Sequence, residues 1–510
     1  STLVWVSGSP VGAWSSDDRA VAVFGSTSDS DYGRSVAVDS SGNVYTTGWF
    51  YNTVDFDPGA GTANLTADSG YDVFVSKLDS SGDLVWAKNF GGTEYAKGFS
   101  VAVDSSGNVY TTGDFRGTVD FDPGAGTANL TSNGSNDAFV LKLDSSGNYV
   151  WAKSWGSSDV GVANADDASY SVAVDSSGNV YTTGGFRNTV DFDPGAGTTE
   201  FTSAGGGTAM DLFVSKLDSA GDLVWARSFG DTGGDVGQSV ALDSSGNVYT
   251  TGSFVGTVDF DPDPLEIANL VNDDYWGDVF VSKLDSSGNY VWAKQFGGAS
   301  SGQGNSVVVD SSGNVYTTGD FEGTVDFDPG AGTVNLSSAD GDDVFVSKLD
   351  SAGDLVWAKS FGGTRIDFGT SVAVDSSGNV YTTGWFQGTG DFDPGAGTTN
   401  LTTNGSTVGD DVFVSKLDSA GDLVWAKSFG GAEYSFYGSD DRGYSVAVDS
   451  SGNVYITGQF LGTVDFDPGA GTTEFTSSEY SFIWRNDVFV LRLDSTGNLG
   501  TVVPAGFTLS

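Results

Sequence analysis

Apolar and polar residues alternate along this chain in runs of four to seven, and each run ends in a turn-forming cluster. Ser35–Val38, Val44–Phe50, Val73–Leu78 and Leu84–Phe90 are the first four such runs. They are rich in Val, Phe, Tyr, Thr and Trp, which fit a pleated, half-buried surface. Between them lie Asp39-Ser40-Ser41-Gly42-Asn43 and Asp79-Ser80-Ser81-Gly82. In such a turn the Asp carboxylate can cap backbone N–H groups and Gly supplies a positive φ. The pattern predicts short strands joined by tight turns, and no segment shows a helical period.

The whole pattern repeats. Ser-Val-Ala-Val-Asp-Ser-Ser-Gly-Asn-Val-Tyr-Thr-Thr-Gly begins at Ser35 and recurs, with small changes, from Ser100, Ser171, Ser239, Ser306, Ser371 and Ser445. The steps of 65, 71, 68, 67, 65 and 74 residues differ through Gly/Ser/Asp-rich connectors, as surface loops do. Four antiparallel strands per unit, repeated seven times, predict an all-β, seven-bladed β-propeller over residues 19–498. An open solenoid is the other architecture, but its repeats are usually much shorter.

The motif Val-Ala-Val-Asp-Ser-Ser-Gly-Asn-Val-Tyr-Thr-Thr-Gly, followed by Asp-Val-Phe-Val-Ser-Lys-Leu-Asp-Ser-Ser-Gly-Asp-Leu-Val-Trp-Ala-Lys, resembles the bacterial β-propeller repeats called SBBP. Both halves recur together in six copies, and the seventh lacks its fourth strand. The resemblance implies a propeller, commonly on an exported or cell-surface protein, with no catalytic residues to carry over.

That missing strand sets up a closure problem. Blade seven ends its third strand at Val488–Leu493, so a terminus must complete it. Residues 19–25 (Arg-Ala-Val-Ala-Val-Phe-Gly) are favoured on spacing, over Thr2–Val6 and over the tail of residues 499–510. Whichever closes the ring, an apolar segment is left over. Leu3, Val4, Trp5 and Val6, with Val502 and Val503, are therefore candidates for fraying, for packing on their own molecule, or for strand exchange between molecules. On this reading residues 1–18 are an extension.

Charge narrows the partners. The 510 residues hold 67 acidic and 21 basic side chains, a net charge of −46, with no Cys and no His. Such a chain repels nucleic acid and anionic membranes. Disulfides, thiolate metal sites and imidazole chemistry are excluded. No apolar stretch reaches transmembrane length. A start at Ser1 is read as a mature, exported form whose signal peptide has been removed.

Over half of the acid is periodic: five Asp columns in seven repeats account for 35 of the 67 residues. Asp39 and Asp79 belong to hairpin turns. Asp55, Asp57 and Asp72 are candidate ligands. In an extended Thr53–Asp57 both carboxylates share one face and Phe56 takes the other. Two carboxylates about 6 Å apart repel by roughly 2–3 kcal/mol in a partly screened site. Either backbone N–H groups of the glycine-rich turn or a structural Ca²⁺ could offset that. The corresponding residues are Asp120, Asp122 and Asp137; Asp191, Asp193 and Asp211; Asp259, Asp261 and Asp278; Asp326, Asp328 and Asp343; Asp391, Asp393 and Asp411; and Asp465, Asp467 and Asp487. Lys77 and its equivalents are expected to ion-pair with this acid.

Sequons at Asn64, Asn129, Asn335 and Asn400 share one place in their blades and could carry glycans on an exported protein. Recurrent Trp86 and its equivalents are expected to pack within or between blades. Repeat-breaking Tyr480, Trp484 and Arg485 could contact a partner or glycan. No constellation is unique to one blade, so an enzyme is not expected. The chain reads as a non-catalytic extracellular or cell-surface structural protein, self-associating through terminal strands. The alternative is a monomeric secreted propeller that binds a protein or carbohydrate through its face loops.

Overall fold

A computed structural model describes residues 20–26, 29–158, 166–272, 277–298, 301–404, 409–431, 441–480 and 483–499. Among the described residues every regular element is a strand. The strands group into seven antiparallel blades of four. In the first blade they are Tyr32–Val38, Val44–Asp55, Asn64–Leu78 and Leu84–Gly92. The innermost strand begins earlier than the apolar pattern suggested, because Tyr32 pairs opposite Trp49.

The long connector proves to be a hairpin. Thr53–Asp55 pairs with Asn64–Thr66 beyond the blade's second and third strands. Alternation places Phe56 inward as expected, and it is 1% exposed. Its ring packs against Phe74 at 5.0 Å and edge-on to Phe50 at 5.4 Å. The same Phe pair recurs in every blade, as in Phe121–Phe139 and Phe466–Phe489. Each hairpin thus lays one aromatic ring over the end of its own blade.

Blade seven is completed by the N-terminal strand Val21–Phe24. It pairs with the third strand, Val21 opposite Leu491 and Phe24 opposite Val488. The Arg492 N–H donates to the Ala20 carbonyl at 2.7 Å. On the other side of the missing segment, Leu499 bridges Leu493. In blade one the equivalent pair is Leu78 and Leu84. So the strand-four place of blade seven begins with Leu499 and finishes with Val21–Phe24, and Leu499 belongs to the ring. Leu3–Val6, Val502 and Val503 lie outside the described residues.

Several sets of contacts join neighbouring blades. Around the axis, each inner strand's Ser Oγ accepts a backbone N–H from the next blade. Val101 donates to Ser35, and so on round to Val36 donating to Ser445, all at 3.1–3.2 Å. Further out, six Trp indoles donate to a carbonyl in the next blade's Asp-Ser-Ser/Ala-Gly turn, from Trp86 to Ser145 through Trp425 to Ser495. The ring lies on that turn's glycine: a Cβ on Gly147 would come 2.9 Å from Trp86. Gly147 also has φ +77°, so no other residue fits there without strain.

The third set corrects an expectation. Lys77 and its equivalents do not pair with the Asp columns. Lys142, Lys216, Lys283, Lys348 and Lys416 donate to the same turn carbonyls as the Trp residues, at 3.2–3.4 Å. Each also lies over a Tyr ring, as Lys77 does over Tyr45 at 5.0 Å. The ammonium is held by a ring face and, in five blades, by a carbonyl dipole. Ion pairs form instead from strand four, where Lys153, Lys294 and Lys359 reach Asp222, Asp354 and Asp422.

Candidate functional site

The candidate metal ligands do not come together. In blade one Asp55 Oδ1 accepts the N–H groups of Asp57 and Ala63, and Asp57 Oδ1 accepts that of Gly59. A Cβ on Gly61 would lie within bonding distance of Asp57 Oδ2, so the glycine-rich turn wraps this carboxylate with backbone. The same bonds recur in the later hairpins, for example at Asp120 and Asp122, and at Asp465 and Asp467. Blade four keeps them at Asp259 and Asp261 despite its different loop. Asp72 stands opposite Phe50, five residues along the strand from Asp55. No group of three acidic side chains arranged for a metal ion is found among the described residues. The turn N–H groups thus engage Asp55 Oδ1 and Asp57 Oδ1 directly, whereas a Ca²⁺ ion would take six to eight oxygens.

Asp72 and its equivalents are buried at the blade seams. The Asp72 carboxylate occupies the space beside Gly91, where a Cβ would clash at 2.0 Å. Gly25, Gly156, Gly230, Gly297, Gly362 and Gly430 make room for Asp487, Asp137, Asp211, Asp278, Asp343 and Asp411 in the same way. This explains the glycine that follows strand four. A second, less regular Asp column faces it from the next blade. Asp31, Asp167, Asp235, Asp367 and Asp441 stand four residues before the serine of their inner strands, with Ala96 and Gly302 at that place in blades two and five. Each takes two backbone N–H bonds, as Asp367 does from Gly363 and Gln387. One carboxylate thus ties the exit of one blade to two strands of the next.

These paired carboxylates hold protons unusually well. Burial pushes Asp343 up to about 7, opposed by the Ala339 N–H and aided by the charge of Asp342. Burial likewise pushes Asp367 up to about 7, against two N–H bonds, with Asp343 and Asp342 adding repulsion. Asp137 and Asp235 are raised to about 7, and Asp167 and Asp211 to about 6, by burial first. Asp487, fully buried beside Asp31, is raised well above the ordinary value.

Where the repeats diverge, they diverge around the axis. A central cavity of about 490 Å³ lies where the seven inner strands meet. It is lined by the serine ring and by the residue just before each serine. That residue differs from blade to blade: Arg34, Phe99, Tyr170, Gln238, Asn305, Thr370 and Tyr444. Behind it, the position between Gly48 and Phe50 varies too, giving Trp49, Asp114 and Trp385 in blades one, two and six.

One side of this mouth is aromatic. Phe99 packs edge-on to Trp49 at 5.8 Å and against Tyr170 at 5.5 Å. Phe368 stacks on Trp385 at 4.5 Å. Cations interleave: Arg34 lies 4.2 Å from the Tyr444 ring centre and 5.5 Å from that of Trp49, with Lys97 also 5.5 Å from Trp49. The other side is amide and hydroxyl. Asn305 donates to Asp320 and to the Gly369 carbonyl, and Thr370 donates to the Thr383 and Gly443 carbonyls.

The sequence reading missed this site, although its signal was present. Comparing the position before Ser35 across the repeats exposes a column that changes seven times inside an otherwise constant phrase. Of the expected partner residues, Tyr480 and Trp484 lie on a short hairpin pair, Glu479–Tyr480 with Ile483–Trp484; their side chains are outside the described residues. Arg485 is half-buried, its backbone N–H bonded to the Ser478 carbonyl. Asn64, Asn129, Asn335 and Asn400 are exposed on the outer hairpins.

The fold and these repeats define a seven-bladed β-propeller. The chain carries the SBBP β-propeller repeat seven times, at residues 24–49, 85–114, 160–184, 224–253, 291–320, 356–390 and 424–459. Two proteins share sequence with it. An uncharacterized WD repeat-containing protein of Acanthamoeba polyphaga mimivirus is 24% identical across 82% of this chain and 34% of its own length. The regulatory protein FlaEY of Caulobacter vibrioides is 30% identical across 34% of this chain and 17% of its own length. The chain thus spans about a third or less of either relative. Among solved structures, a PL25 ulvan lyase covers 86% of this chain and 93% of its own at 12% identity and a TM-score of 0.40. Sqt1 of Chaetomium thermophilum covers 94% and 98% at 11% identity and 0.36. At these scores the likeness carries no functional argument.

Proposed function

We propose that this chain is an exported, non-catalytic propeller that binds an external ligand at the mouth of its central channel. The observation behind this is where the repeats differ. Seams, turns and hairpins are nearly identical in all blades, whereas each blade presents its own side chain to the channel. A merely structural ring has no need of six residue types at seven equivalent positions. A concave site with aromatic walls and a few polar groups is the usual form of a ligand pocket. Catalysis has little support, because the carboxylates with raised proton affinity are buried and bonded to backbone or amide groups. Asp114, pushed by burial to about 7, accepts from the Asn136 amide, and Asp320, also raised to about 7 by burial, accepts from that of Asn305.

Saturation-transfer NMR with a panel of oligosaccharides and short peptides tests the reading. Changing Phe99, Tyr170 and Tyr444 together to Ser should abolish binding and leave the melting temperature within a few degrees. Unchanged binding by this variant would move the site off the channel.

Self-assembly is the second reading. Two observations support it: the closing place is already taken by Val21–Phe24, and the outer strand of six blades carries an exposed Val, 44–52% accessible, on its edge. An apolar, β-prone segment such as Leu3–Val6 could add to such an edge on a neighbouring molecule. Deletion of residues 1–18 should then lower the particle size seen by light scattering. Equal sizes with and without the segment would refute exchange at that end.

A further inference from the structure

Arg34 is the one cationic side chain among the described residues that line the cavity. Its guanidinium lies over the rings of Tyr444 and Trp49, yet no ion pair or hydrogen bond to an oxygen engages it among the described residues. Arg442, which also lies over a Trp ring, has its charge met by Asp410 at 2.7 Å from both Nε and Nη2. Arg116 is met by Glu94 at 2.9 Å. In a chain with 67 carboxylates for 21 cations, an arginine that lines a cavity and meets no carboxylate among the described residues is suited to an external anion. Its donors are pre-set by the two rings, and guanidinium forms its strongest bonds to carboxylate or phosphate.

The serine ring points the same way. Each of Ser35, Ser100 and their equivalents accepts a backbone N–H from the next blade. That fixes the oxygen at the cavity wall and leaves its own O–H as a donor, since a hydroxyl has one hydrogen and two acceptor positions. Seven hydroxyls at one level of the channel, with Arg34 beside them, make a donor-rich floor. Phe99, Tyr170 and Tyr444 line the same cavity and supply its aromatic wall.

We propose that the channel mouth binds an acidic saccharide, its carboxylate held by Arg34 and the serine hydroxyls and its ring packed on Phe99, Tyr170 and Tyr444. This rests on the channel being the ligand site and names the ligand's class. A sugar ring supplies both the apolar C–H face for the aromatic wall and hydroxyls for Gln238, and the carboxylate supplies the charge that Arg34 lacks. The overall charge of −46 disfavours any anion without such local donors, so recognition would be confined to this site.

Isothermal titration calorimetry on the full chain with three probes tests the inference: a galacturonate oligomer, its uncharged galactose counterpart, and an acidic pentapeptide. The galacturonate oligomer should bind at least about tenfold more tightly than the neutral one, as a charge-assisted bidentate contact implies. Arg34→Gln should remove that difference, and Arg34→Lys should restore part of it, with the melting temperature of both variants checked. Equal binding of neutral and acidic sugars, lost in the Phe99/Tyr170/Tyr444 variant, would overturn the acidic preference and leave the channel reading standing. Tighter binding of the peptide would overturn the saccharide assignment. No binding of any probe would count against both.

Discussion

At the scale of single residues, the seam carboxylates make the clearest physical statement. Asp31, Asp137, Asp235, Asp343 and Asp367 are each raised to about 7, in every case chiefly by burial. They hold their proton more tightly in the fold than at the ordinary value of 3.8, so folding takes protons up. Their contribution to stability is complete below about pH 4 and is lost as pH rises to about 7. The Asp39 column has the opposite shift. Burial raises Asp39, but bonds from Asn43, Ser41 and Tyr45 outweigh it and lower it. That contribution is lost only when pH falls below the ordinary carboxylate range. The melting temperature should therefore be higher at pH 5 than at pH 8, by roughly 5 °C or more. Differential scanning calorimetry at the two pH values reads this directly, and a flat profile would refute the seam assignment. Asp343→Asn should raise the melting temperature at pH 8 and change it little at pH 5, since the amide stands in for the protonated acid. Its Oδ1 is buried without a hydrogen-bond partner, so the loss of the charge removes a cost rather than a bond.

Elements show how much the sequence could say and where it stopped. Turns were fully legible: Asp39 accepts from the N–H groups of Ser41 and Asn43, as a capping Asp should. So were the strands, because apolar alternation and β-propensity agree. The outer hairpin was read only as a long connector, since its strands are three residues long and mostly exposed and leave little alternation to see. Its Asp pair left turn bonding and a cation both open, because repeated carboxylates repel; the turn's own N–H groups bond Asp55 and Asp57. Ca²⁺ at millimolar concentration is accordingly expected to give no binding heat at the hairpins and no rise in melting temperature. Phe56→Ala should cost about 3–5 kcal/mol in denaturant unfolding, the usual range for an emptied aromatic site. The seam pairs were illegible for a different reason. Asp31 and Asp487 are 456 residues apart in sequence, and only ring closure makes them neighbours. Lys77 was misassigned because period two fixes which face a side chain takes, not which neighbouring blade it meets.

For the whole molecule, the ring is held by repeated sets of contacts between blades, and one seam lacks a member. Six seams carry a Trp clamp, but the strand closing blade seven places Ala20 where Trp86 stands in blade one. Arg492 still reaches the Ser80 carbonyl and Val36 still donates to Ser445. With less buried area, this seam should open first. Hydrogen exchange should release the amides of Val21–Phe24 before those of Leu84–Phe90, and the reverse order would contradict the closure described here. Opening there would also be the entry point for strand exchange between rings. Ring geometry likewise gathers the seven divergent side chains into one cavity, which no single repeat reveals. The most direct test of the central claim, that this cavity is the ligand site, is a crystal structure of the chain soaked with a galacturonate oligomer. The account predicts ligand density in the channel, with its carboxylate on Arg34 and its ring beside Phe99 and Tyr170. An empty channel, with the sugar bound only on the outer hairpins, would contradict it.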